Sequence, residues 1–101
     1  MFAYTVCVTF QNSTLAKDWL DWLRNGHIQE VIECGASDAE IVKLDGAENS
    51  FEIRYHFASR ESFGEYERDH APRLRAEGLA KFPVEKGVAY KRTTGDVIEI
   101  P

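Results

Sequence analysis

Cysteine is scarce in this chain: Cys7 and Cys34 are the only two, and they lack the C-x-x-C spacing of a redox or zinc pair. Two are too few for a disulfide scaffold, so both are expected to be buried or half-buried free thiols in a reducing cytoplasm. No apolar run approaches the ~20 residues of a membrane span, and the N-terminus shows no charged-then-apolar leader. The seven glycines are all isolated, which excludes a phosphate-cradling loop. A G-x-S-x-G nucleophile elbow is also missing. Positive charge is in short supply, with 12 Lys and Arg against 17 Asp and Glu and a net charge of −5. That balance argues against the broad cationic surface needed to neutralise a nucleic-acid backbone. Repeats, low-complexity tracts and long linkers are absent too, so 101 residues read as one domain, 1–101.

What is present is a succession of two-faced segments. Phe2, Tyr4, Val6, Val8 and Phe10 alternate with Ala3, Thr5, Cys7 and Thr9, a strand with one heavy and one light face. Asn12 and Ser13 can cap a helix, in which Leu15, Trp19, Trp22 and Leu23 form an apolar stripe. Asn25-Gly26 is a left-handed exit from it. His27–Cys34 is a shorter helical piece ended by Gly35, and Ala39–Leu44 is a strand. Phe51–Ala58 is a strand whose heavy face is Phe51, Ile53, Tyr55 and Phe57, opposite Glu52, Arg54 and His56. Ser59 caps the next helix, where Phe63, Tyr66 and His70 share a side. Pro72 would break an interior turn, so the helix is expected to restart at Asp69 or His70, with Pro72 in a first turn. Leu74, Leu79 and Phe82 continue the buried stripe. Val88–Thr94 is the last main strand, and Val97, Ile98 and Ile100 suggest a short edge.

The order strand, helix, strand, strand, helix, strand is the α+β, ferredoxin-like βαββαβ arrangement, an antiparallel sheet with helices on one face. Helices need an apolar sheet surface, and only the Phe/Tyr/Val/Ile face supplies it. The opposite face is then small and mixed-polar, with Thr5, Cys7, Glu52, Arg54 and His56. RNA-recognition domains share this order but stack bases on aromatics of the open face. No aromatic stands there, so RNA binding is not expected.

Charge is uneven: residues 1–52 hold three cations against nine acids, and residues 53–101 carry a net +1. Glu67 and His70 have the E-x-x-H spacing of di-iron bundles, which require a second copy of the motif and further carboxylates. Neither is present, so no metal site is expected, and no cofactor motif is found. His27, His56 and His70 are dispersed, without H-x-H or H-x-x-x-H spacing, though each can titrate near neutrality. His27 stands out because it follows the Gly26 break and lies near Trp22. Arg73 and Arg75 follow the helix restart. Their forks match a carboxylate or phosphate, with Glu67, Asp69 or Glu77 as the expected partners.

The runs WLDWL, HIQEV and HAPRLRAEGLAKF resemble an uncharacterised bacterial family of domains of unknown function. That family in turn resembles the dimeric α/β-barrel superfamily, which includes small cofactor-free monooxygenases and isomerases. The likeness covers nearly the whole chain, with His70-Ala71-Pro72-x-Leu74 its most specific stretch and His27-Ile28 second. Gln29 stands where the family pattern places a proline. The resemblance implies a homodimer, a dimeric α/β barrel closed through the light sheet face, burying Glu52, Arg54 and His56 in paired form. Two functional readings follow. One is a non-enzymatic cytoplasmic homodimer that holds a small molecule between helices and sheet, with Trp22, His27, Tyr66, His70 and Arg73 as pocket candidates. The other is a cofactor-free monooxygenase or isomerase with His27 or His70 as base and Trp22 and Tyr66 as walls. No nucleophile, base and orienting group are assembled in the sequence, which favours the first. The same aromatics also compose a plain core, and sequence alone prefers that solid packing to a cavity.

Overall fold

Alternating large and small side chains place β1 (Phe2–Phe10) in the middle of an antiparallel sheet, between two strands supplied much later in the chain. The computed structural model describes residues 1–101. After β1 come α1 (Ser13–Trp22), α2 (Ile28–Glu33), β2 (Asp38–Lys43), β3 (Ser50–Phe57), α3 (Arg60–Asp69), α4 (Ala71–Lys81) and β4 (Val88–Asp96). The strands lie in the order β2-β3-β1-β4, the ferredoxin-like βαββαβ topology.

Register explains the two faces. Tyr4 pairs with Tyr55 and Val6 with Ile53 across β1 and β3, while Val8 pairs with Tyr90 and Val6 with Arg92 across β1 and β4. Side chains of directly paired residues share a face, so all of these point toward the helices. Phe2, Tyr4, Val8, Phe10, Phe51, Ile53, Tyr55 and Phe57 are buried there against Ala16, Trp19, Leu23, Phe63, Tyr66 and Leu74. Each such large side chain contributes about 1.5–3 kcal/mol on full burial. On the other face Ala3 pairs with His56, Thr5 with Arg54 and Cys7 with Glu52, and no helix covers them.

Local chemistry sets the helix ends. Asn12 Oδ1 accepts from the backbone of Thr14 at 2.8 Å and of Leu15 at 3.1 Å, satisfying two free N–H groups of α1. The first helix breaks at Asn25-Gly26 as expected: Asn25 (φ −89°, ψ 23°) and Gly26 (φ +137°, ψ −25°) leave the helical region, and this kink turns the chain into α2. The joint before Pro72 falls at His70, whose backbone (φ −128°, ψ −38°) closes α3 and opens α4. Its N–H donates to Tyr66 O at 2.9 Å and its carbonyl accepts from Leu74 N at 3.2 Å, so Pro72 sits where no donor is required.

The expected edge at Val97, Ile98 and Ile100 does not form. β4 already pairs Asp96 with Phe2, the first residue of β1, so the chain beyond has only Met1 left to meet. Val97 N donates to Met1 O at 2.9 Å, and Ile98 and Ile100 project into solvent.

Candidate functional site

The layer between helices and sheet is not solid. A cavity of about 60 Å³ opens between helices α1, α3 and α4 and strands β3, β1 and β4 of the sheet. One water needs roughly 10–15 Å³ in such a space, so it accommodates a few waters or a small flat group. Tyr4, Val6, Val8, Ile53 and Tyr55 form its floor, and Trp19, Trp22, Leu23, Tyr66 and Leu74 its walls and roof. Leu79, expected in the buried stripe, is 44% exposed and stands at the rim with Arg75, Tyr90 and Arg92.

Two glycines shape this space. At Gly78 a Cβ would come within 3.3 Å of Trp22 Cη2, so the missing side chain lets the indole lie along α4. Trp22 meets Phe82 at 5.5 Å between centroids and stacks on His27 at 4.1 Å, with 22° between planes. The second is Gly26, whose left-handed backbone folds His27 back over the preceding helix and onto that indole. His27 Nδ1 is buried without a hydrogen-bond partner. Burial pushes the imidazole below its ordinary value, against the opposing pull of Glu30 and Glu77, which favours the neutral ring.

At the rim, Tyr4 Oη accepts from Arg75 Nη2 and from Arg92 Nε, each at 3.1 Å. Arg75 also pairs with Glu67 at 2.6 Å. Burial alone would lower the Arg75 guanidinium, but its contacts with Tyr4 and Glu67 outweigh this and hold it above its ordinary value. Arg92 lies 5.8 Å from the centroid of the Tyr90 ring, whose hydroxyl donates to Phe82 O at 2.6 Å. Burial raises both Tyr55 and Tyr66 well above the usual phenol range, so both keep their protons at neutral pH.

Of the pocket residues expected from sequence, Trp22, His27 and Tyr66 line the cavity, whereas His70 and Arg73 do not. His70 stands half-buried at the α3–α4 joint. Arg73 precedes the buried Leu74, a rotation of about 100° around the helix, and turns outward to Glu30 at 2.6 Å and Glu77 at 3.0 Å. Glu67 of the E-x-x-H spacing is engaged by Arg75. Sequence reasoning did not place Arg75, Tyr4 or Arg92 in the pocket. The signal for Arg92 was the β4 alternation Val88, Tyr90, Arg92, which sets an arginine on the helix-facing side. On the open face Arg54 binds Glu52 at 2.8 Å and Glu40 at 3.4 Å, and His56 Nδ1 meets Asp38 Oδ1 at 2.8 Å. Thr5 and Cys7 lie on the same face, half-buried.

Comparison with known proteins places this geometry. Residues 1–96 match the family described as a domain of unknown function, DUF4286. Among curated proteins none matches. A dimeric ferredoxin-like protein from an uncultured marine organism superposes with a TM-score of 0.71 at 15% identity, over 99% of this chain and 97% of its own. A Nitrosomonas europaea protein provisionally named an antibiotic biosynthesis monooxygenase gives 0.67 at 16% identity, over 98% of this chain and 100% of its own. Another structure, named an antibiotic biosynthesis monooxygenase, gives 0.64 at 11% identity, over 100% of both chains. At these identities the likeness is one of fold.

Proposed function

The chain belongs to the DUF4286 family, and from that premise we propose that residues 1–101 act as one cytoplasmic homodimeric domain that binds a small molecule between helices and sheet. The observation that carries this reading is the cavity itself: a lining of aromatic and aliphatic side chains with a few polar groups at its rim and one end. That is the composition of small-molecule sites. The homodimer is supported by the uncovered sheet face, small in β1 and with Arg54 paired to Glu52 and Glu40 within the chain, and by a fold shared with a protein described as dimeric. Two free cysteines fit a reducing compartment.

The test is a thermal-stability screen against a metabolite library, since a ligand that binds only the folded state must raise the melting temperature. His27→Ala and Trp22→Ala are expected to weaken any hit while the dimer stays folded. Unchanged affinity in both variants would move the site away from this cavity.

A second reading, a cofactor-free monooxygenase or isomerase, is favoured by one feature. His27 offers a buried, unpartnered Nδ1 on a ring that burial keeps neutral, the state required of a general base. Its role would be to remove a proton from a ligand lying against Trp22. If so, His27→Gln abolishes turnover of a screening hit and leaves its binding within a few-fold. Equal turnover by the variant would exclude His27 as base.

A further inference from the structure

The Tyr4 hydroxyl stands at the centre of the polar groups on the cavity rim. A phenol oxygen accepts through two lone pairs and donates one proton. Both acceptor positions of Tyr4 Oη are taken, by Arg75 Nη2 and Arg92 Nε at 3.1 Å each, and the chain supplies no acceptor for its proton. Arg75 Nε is buried without a hydrogen-bond partner, and Glu67 Oε2, likewise without one, meets Arg75 Nη2 only as an ion pair at 2.6 Å. Donors therefore converge on the rim of the cavity from three side chains. Glu67 is the one carboxylate beside them, and it binds Arg75 at 2.6 Å. Arg92 has no carboxylate partner and rests beside the Tyr90 ring. Two guanidiniums thus face one anion, in a chain whose overall charge is −5.

We infer that the pocket takes a small aromatic carboxylic acid, its carboxylate received by Tyr4, Arg75 and Arg92 and its ring lying over Val6 and Val8 beside Trp22. The inference rests on the pocket reading proposed above and names its ligand chemistry. A carboxylate is planar and acceptor-only, which matches converging donors and the guanidinium fork. An alcohol or amine would bring a further donor to a place already crowded with them. The apolar floor accounts for the rest of the molecule, and the small volume limits it to about one ring.

The intact protein is titrated with benzoate and with benzyl alcohol at constant ionic strength. Binding is followed by tryptophan fluorescence, to which Trp19 and Trp22 of the cavity wall report, and by melting temperature. Hydrogen bonds to a charged group are worth about 1.5–3 kcal/mol, so benzoate is expected to bind roughly 10- to 100-fold more tightly than the alcohol. Arg92→Gln, at an exposed position, should erase most of that preference. Glu67→Gln, which releases Arg75, should strengthen benzoate binding several-fold, and circular dichroism confirms that both variants fold. Equal affinity for the two probes in the unmodified protein overturns the carboxylate assignment and leaves the pocket reading standing. A benzoate preference that survives in Arg92→Gln overturns the placement at this rim. Binding of neither probe overturns the assignment and counts against the pocket itself.

Discussion

His27 joins backbone, packing and electrostatics in one side chain. Its turn depends on Gly26, its ring stacks on Trp22, and its Nδ1 is buried without a partner. Because burial lowers its folded-state pKa, the fold prefers the neutral ring, whereas the unfolded chain takes up a proton near the ordinary value of about 6.5. The associated stability is complete above that value and is lost as pH falls below it toward the lower folded-state pKa. The melting temperature should therefore drop between about pH 7.5 and 5.5 by more in the native protein than in His27→Gln. Parallel curves would mean that the ring is hydrated in solution. His27, Trp22 and Tyr66 were legible as neighbours because helical spacing and a glycine break decide which way such residues face. The roles of Tyr4 and Arg92 were not, because they depend on pairing between strands separated by most of the chain. Arg73 and Arg75 illustrate the same limit: two positions apart on one helix, they diverge, one outward to Glu30 and one to the cavity rim.

Among the elements, α4 has a double duty: it seals the core through Leu74 and leaves space beside Gly78. Gly78→Ala would gain about 0.5–1 kcal/mol of helix propensity while placing a Cβ 3.3 Å from Trp22 Cη2. The half-buried indole lines the cavity, so a shift toward that space would narrow it. Stability should change by less than about 1 kcal/mol in either direction, and affinity for a pocket ligand should fall, as calorimetry and thermal melts would show. A large loss of stability with affinity intact would mean that Trp22 is locked and the cavity does not absorb its shift. Element positions were largely readable from the sequence, since Asn12, Ser59 and Pro72 mark helix starts by the donors they satisfy or lack. The failure of the 97–100 edge was not, because it follows from where β1 begins.

For the whole molecule, the proposed homodimer would assemble through the open sheet face. Arg54 is its central cation, held between Glu52 and Glu40. Arg54→Glu would set three carboxylates together there without touching the core. Light scattering at micromolar concentration should report twice 11.5 kDa for the native protein and 11.5 kDa for this variant. A native species of 11.5 kDa would refute the homodimer. Met1 and Val97 meet at one end of the same sheet. Since Val97 N donates to Met1 O at 2.9 Å, both ends leave β1 and β4 side by side. In polymer terms the fold is a ring cut at one place. A short link from the segment after Val97 back to Met1 would cost little loop entropy, and a new opening in the exposed segment 45–48 would keep every strand pair. What the strand pairing requires is the cyclic succession of these strands and helices, and that opening would preserve it.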